Sequence, residues 1–275
     1  MKKAFIAVIA LGLLFYFFNM HYAEKRVLRI GVEKDDYVPN TWIEASATET
    51  NLPIANDPGH YAEGYDVQIA RLVAANINAE LQVKKLVWDD LLSALNRNEI
   101  DAIFSGMLDT KPRRELAAFS EFYDAFENEY TIIVDKNSRF LTARTISDFA
   151  GAKIVGQKGT HLDDVIDQIK GVVHMPPAVS VTEMVDMVNN RKADGAVINL
   201  DTGMSYVRRY QNLRIIRFHK EDGFYLDFSG TCAAVRKSDT RLLEDINKTL
   251  RDLSKVERQR IMDRTLARAW KHLQK

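Results

Sequence analysis

An α/β fold of two lobes, each a mostly parallel sheet, is predicted by three observations. Apolar, branched runs of strand length alternate with segments of helical period throughout the chain. The runs, such as "VLRIGVE" and "DAIFSG", show little polar alternation, as expected of strands covered on both faces. Two such βα series are visible, Val27 to about Val134 and about Lys153 to Ile216, with the turn-forming segment "DKNSRFLTARTISDFAG" between them.

The elements follow in order. "VLRIGVE" is the first buried strand, and a long polar loop, Thr41–Gly64, separates it from the first helix. "YDVQIARLVAANI" carries Val67, Ile69, Ala70, Leu72 and Val73 at helical spacing, with Asp66 as the expected N-cap. "LQVKKLV" is a strand, "WDDLLSALNRNEI" a helix with Asp89 as its cap, and "DAIFSG" a strand ending in small residues. Thr110 and Pro112 then start a helix that carries Arg113 and Arg114. "EYTIIVD" and "KIVGQK" are strands, "HLDDVIDQI" and "VTEMVDMVNNRK" helices, and "DGAVIN" a strand. The last strand, "FSGTCAAVRK", and the helix in "TRLLEDINKTLRDLS" have no nearby strand partner, so they are expected to return to the first lobe. The expected division is 1–23 as a leader, 24–135 with 229–275 as lobe 1, and 136–228 as lobe 2.

The 275 residues carry no net formal charge, which gives no support for nucleic-acid binding. Cys232 is the single cysteine, so an internal disulfide and a multi-thiolate metal site are excluded, and its apolar setting reads as core. The N-terminus has Lys2 and Lys3, then an unbroken apolar run from Ala4 to Phe18. That is the layout of a secretory signal, at the long edge of the usual ~7–15 residues. His21 stands where a cut before Glu24 would want a small residue, so retention as a membrane anchor is the alternative. Either way the body is expected outside the cytoplasm.

The stretch from Asp101 to Tyr123 points to chemistry. A strand that stops at Ser105 and Gly106 lets a ligand approach the backbone, and an arginine at a helix entrance offers a planar fork to a carboxylate. With "LRIGVEKDDYVPNTW", "YAEGYDVQIARLVA", "WDDLLSALNRNEIDAIFSGM", "TKPRRELAAFSEFY", "TISDFAGAKIVGQKGTHLDDVIDQIKG" and "GTCAAVRKSDTRLLEDINKTLRDLS" in this order, the chain from about Val27 to Trp270 resembles the extracellular solute-binding proteins of ABC importers, in the family for polar amino acids. The resemblance implies a two-lobed periplasmic-binding-protein-like fold (type II) with the ligand cleft between the lobes, no enzyme activity, no cofactor and no metal. The implied partners are a small amino acid or related carboxylate and a membrane permease, and the receptor itself is expected to be a monomer.

By the same resemblance, Arg113 grips the ligand carboxylate, and Ser105, Gly106 and Met107 face the ligand from the strand end. Gly159 and Thr160 clamp it from the second lobe, with His161 beside them, and Tyr37 and Trp42 form an aromatic wall. The pattern departs at two positions. Leu108 stands where many relatives have Ser or Thr, and Asn199 where the family usually has the carboxylate that holds the α-ammonium. Asp201, Asp35, Asp36 and Asp109 are the candidate replacements. Two other classes share the scaffold: an anchored sensor domain, and a dehydratase of prephenate-like acids that would use His161, Asp201 or Asp109 as acid.

Overall fold

The computed structural model describes residues 26–124, 129–226 and 230–274. The leader expected over 1–23 therefore lies outside the described residues. Among those described, no helix is long and apolar enough to cross a membrane.

The chain opens with β1 (Arg26–Glu33), whose Leu28, Ile30 and Val32 are fully buried. The segment 41–64 is not a bare loop: β2 (Trp42–Glu44), β3 (Leu52–Pro53) and β4 (Tyr61–Glu63) pair as a small antiparallel sheet. Helix α1 (Tyr65–Asn76) buries Val67, Ile69, Ala70 and Val73 against β1 and β5 (Ala79–Leu86). Val67, Ile69 and Val73 each contribute roughly 1.5–3 kcal/mol of burial. The N-cap of α1 is Gly64 and not Asp66, which lies inside the first turn, wholly buried. Its carboxylate accepts from the hydroxyls of Tyr123 (2.8 Å) and Thr41 (3.3 Å). Asp89 likewise does not cap α2 (Leu91–Asn96), which follows a single 3-10 turn.

β6 (Ala102–Ile103) leads through Gly106 to α3 (Lys111–Arg114), and β7 (Ala118–Phe122), unexpected from the sequence, follows. β8 (Tyr130–Asp135), β9 (Lys153–Val155), α4 (His161–Asp164), β10 (Val173–His174), α5 (Val181–Asn189), β11 (Gly195–Asn199), α6 (Leu200–Arg209) and β12 (Leu213–Ile216) build the second half. β13 (Cys232–Val235), α7 (Thr240–Asp252) and α8 (Lys255–Leu273) return to the first. Cys232 is buried in β13.

The two five-stranded sheets share one plan. Sheet 1 runs β5-β1-β6-β13-β7 and sheet 2 runs β10-β9-β11-β8-β12. In each, the first three strands are parallel and the fourth is reversed. The reversed strand is the one that has just arrived from the other lobe: β13 in sheet 1 and β8 in sheet 2. Tyr130–Asp135, expected in lobe 1, therefore pairs in the second sheet, where Gly195 to Asn199 and Leu213 to Ile216 flank it. Asp124, on one crossing segment, accepts a hydrogen bond from the backbone N–H of Thr231 on the other (2.5 Å). That bond ties the two crossings together at the hinge.

Candidate functional site

In a parallel sheet the carboxyl ends of the strands leave a crevice for ligands. Both sheets present such ends to the same interlobe cavity. From lobe 1 come Glu33 at the end of β1, Ser105 and Gly106 after β6, Tyr37, Trp88, Leu108, Arg113 and the hinge residue Thr231. Lobe 2 supplies Tyr130, Gln157, Thr160, His161, Leu162 and Asn199. The cavity measures about 40 Å³. That is room for a few waters and not for a larger molecule.

Polar contacts span the cleft. Gln157 donates from Nε2 to Glu33 Oε1 (2.6 Å), and the Tyr37 hydroxyl donates to Asn199 Oδ1 (3.1 Å). The Gly159 carbonyl accepts from Arg113 Nη2 (2.9 Å) and from Trp88 Nε1 (3.2 Å). At the rim Lys158 pairs with Asp89 (2.5 Å).

Arg113 is the electrostatic centre. Its guanidinium lies over the Trp88 ring, 5.2 Å from the centroid, and its Nη1 donates to the Leu108 carbonyl (3.0 Å). Both protein acceptors are neutral carbonyls, and among the described residues no carboxylate forms an ion pair with it. Burial pulls its pKa down, though not out of the charged range. A half-buried cation held by two carbonyls over an aromatic face is a site for an anion. Glu33 is the cavity's one carboxylate among the described lining residues. Burial pushes it up to about 8, against the lowering effect of the Gln157 bond.

The other expected residues fall into two groups. Tyr37, Ser105, Gly106, Leu108, Thr160, His161 and Asn199 all line the cavity with Arg113. Ser105 Oγ accepts from the Glu33 N–H (2.9 Å), so the hydroxyl joins the two strand ends. Thr160 caps α4, accepting from Leu162 N (3.2 Å) and donating to the Gln157 carbonyl (2.8 Å). Gly159 offers a carbonyl, at the outer edge of the cleft.

Trp42, Met107 and Asp201 lie elsewhere. Trp42 is fully buried against Val38, Ala269 and Leu273, and its Nε1 donates to Glu44 (3.1 Å), so it pins α8 to lobe 1. The second aromatic wall of the cavity is Trp88. Met107 is packed in the core with Leu91, Leu95 and Ile103 and touches only the outer edge of the cleft, not the inner cavity. Asp201 accepts from Thr202 N (2.8 Å) and lines a separate cavity of about 440 Å³ with Asp124, Tyr123 and Met262. Asp36 is held by the Ile43 N–H and His272, while Asp109, paired with Arg114, lines the outer edge of the cleft and not the inner cavity.

Gly106 sits at φ +62°, and a Cβ there would come within 2.6 Å of Tyr37 Cε1. Gly106→Ala is expected to push the Tyr37 ring out of place and weaken ligand binding about tenfold, with the fold retained. Calorimetric titration against the wild type checks this.

Two lobes with a cation in the cavity between them define a protein built to bind a small ligand. The family model for bacterial extracellular solute-binding proteins, family 3, matches residues 45–267, and the chain belongs to that family. It is 24% identical over 213 residues to an arginine-binding extracellular protein of Bacillus subtilis, covering 73% of this chain and 76% of that one. It is 25% identical over 203 residues to an arginine-binding periplasmic protein of Mannheimia haemolytica, covering 73% and 81%. Among solved structures it resembles holo ArgBP from T. maritima, with TM-score 0.66, 28% identity and coverage of 84% and 92%. A 25% identity over 193 residues also links it to a membrane-bound lytic murein transglycosylase F of Desulfosudis oleivorans, of which the match covers 40%. That likeness is confined to part of a longer protein.

Proposed function

We propose that this protein is an exported receptor that captures a small amino acid, or a closely related carboxylate, between its lobes and presents the closed form to a membrane permease. The observation that carries this reading is Arg113, a cation on a lobe-1 helix whose guanidinium also reaches the lobe-2 carbonyl of Gly159 across the cavity. A carboxylate there bonds the fork bidentately and draws the two lobes onto itself. The names of the curated relatives, two of them arginine-binding, support an amino acid as cargo. The α-ammonium would lie toward Asn199 and Tyr37, which offer oxygens without charge.

The test is a thermal-shift screen of the full-length chain, kept in mild detergent, against amino acids and small carboxylates. A ligand at a hundredfold excess over Kd stabilises the folded state by about 2.7 kcal/mol. The expected result is a clear rise with at least one amino acid that disappears in Arg113→Ala. No rise with any carboxylate, or a rise that survives Arg113→Ala, defeats the proposal.

A further inference from the structure

The larger space between the lobes is not the cleft. A cavity of about 440 Å³ lies between α6 of lobe 2, α8 of lobe 1 and the crossing at Asp124 and Glu129. Among the described residues it shares only Asn199 with the cleft cavity, and Arg113 is not part of its lining. Its volume falls within the roughly 300–1,000 Å³ of small-molecule sites. Leu200 and Met204 of α6, with Met262 and Leu266 of α8, make its walls largely apolar. Tyr65 and Tyr123 add their rings, because their hydroxyls are engaged elsewhere, donating to the Tyr123 carbonyl (2.6 Å) and to Asp66 (2.8 Å).

Four charged side chains line this space, and two of them are already matched. Arg217 holds Glu129 through two bonds (2.8 and 2.7 Å), and the Arg208 guanidinium lies over the Trp270 ring, 5.1 Å from its centroid. Asp124 and Asp201 differ. Each accepts a backbone N–H, from Thr231 (2.5 Å) and Thr202 (2.8 Å), but among the described residues neither forms an ion pair. Burial, with the charge of Asp201 added to it, pushes Asp124 up to about 6, so at pH 7 it is still mostly ionised. Two carboxylates, one on the crossing and one on a lobe-2 helix, thus border an apolar space with no described side-chain cation to balance them.

We propose that this cavity is a second ligand site, separate from the cleft, for a small organic cation: an ammonium group held by Asp124 and Asp201 on an apolar body seated against Met204, Met262 and Leu266. The inference goes beyond the reading of the cleft and does not depend on what the cleft binds. Burying an ammonium is costly unless it is paired, and the two acids supply the pairing. The rings of Tyr65 and Tyr123 favour the same charge. A zwitterionic amino acid fits poorly, because its own carboxylate would face the same two acids.

The experiment is calorimetric titration of the full-length chain in mild detergent at pH 7 with phenethylamine, and with 2-phenylethanol as its uncharged counterpart. The amine is expected to bind at least about tenfold more tightly than the alcohol, and within about twofold of the same affinity in Arg113→Ala. Asp124→Asn/Asp201→Asn removes both charges and keeps an oxygen for each backbone N–H. It is expected to weaken the amine at least about fivefold. Should that variant fold poorly, Asp201→Asn alone is expected to weaken it at least about threefold. No binding of phenethylamine, a smaller preference over the alcohol, or a smaller loss in the charge variants overturns the inference. So does a loss in Arg113→Ala, which would put the amine in the cleft. The amino acid reading of the cleft has its own test and stands or falls apart from these results.

Discussion

Gly64→Ala is expected to destabilise the protein by at least about 3 kcal/mol, which lowers Tm by roughly 6–12 °C. Gly64 adopts φ +135° and ψ 171°, a region essentially reserved for glycine. The conformation is only part of the cost. A Cβ there would lie 2.1 Å from the Asn40 carbonyl oxygen and 2.6 Å from the Asn40 carbonyl carbon and Thr41 Cα, all backbone atoms. That backbone cannot yield cheaply. The carbonyls of Pro39 and Asn40 accept from the first N–H groups of α1 at Tyr65 and Asp66, and Thr41 also bonds the Asp66 carboxylate. Asp66 in turn bonds Tyr123 and the Gly106 N–H, so the disturbance reaches the floor of the cleft. Gly59 is the control: its φ is +90°, but nothing lies within 4 Å of its missing Cβ. Urea titration of both alanine variants separates strain from collision. An equal loss in the two would refute the collision with Asn40.

The second large effect is a loss of stability as pH rises from 5 to 8. Four carboxyls are pushed up by burial: Glu33 to about 8, Asp66 to about 7, Asp124 to about 6, and Asp201 above its ordinary value. Each binds its proton more tightly in the folded protein than in the unfolded chain, where the ordinary values are 4.5 for Glu and 3.8 for Asp. Folding therefore takes up protons between those values and the raised ones. Stability is greatest at the acid end of the window and falls as pH climbs through about 6, 7 and then 8. One unit of displacement is worth about 1.4 kcal/mol, so even a partial expression of these shifts gives about 3 kcal/mol, or a Tm lower by roughly 6–12 °C. The carboxyls of Asp101, Asp135 and Asp148 are held low by arginine or backbone partners, but they titrate below this window. Thermal melts across pH 5 to 8 check the trend. Glu33→Gln is expected to flatten its upper part, and a Tm that rises over this range would show that these carboxyls ionise freely in the folded state.

Much of this architecture was legible in local pattern. The unbroken apolar runs gave the right strands at β1, β9 and β11, and the spacing in "YDVQIARLVAANI" gave α1. Pattern does not name a partner, however. Tyr130–Asp135 reads as a strand in isolation, and only the reversed pairing with Gly195 to Asn199 puts it in the second sheet. β7 was hidden because "AAFSEF" continues a helical start without a break. At the site, Arg113 stood out through its helix-start position. Trp42 and Trp88 were indistinguishable as aromatics, and what separates them is α8, more than two hundred residues away, whose Ala269 and Leu273 bury Trp42. Glu33 looked like an ordinary acid ending a strand. Its signal was its place at the carboxyl end of a buried parallel strand, where the crevice forms. Gln157 carried no signal, since its role depends on a residue of the opposite lobe.

The reversed strand inside sheet 1 also sets the order in which a newly made chain can fold. All five strands of sheet 2 lie between Tyr130 and Ile216, so that lobe is complete as soon as its own segment is available. Sheet 1 is different. β7 has β13 as its neighbour, and Val235 of β13 pairs with Ala102, on the far side of the entire second lobe. The half of the molecule synthesised first is therefore the half that closes last, through a non-local pairing of the kind that forms slowly. Until its final segment arrives, the leading half lacks the strand that joins β6 to β7 and so has an unfinished sheet.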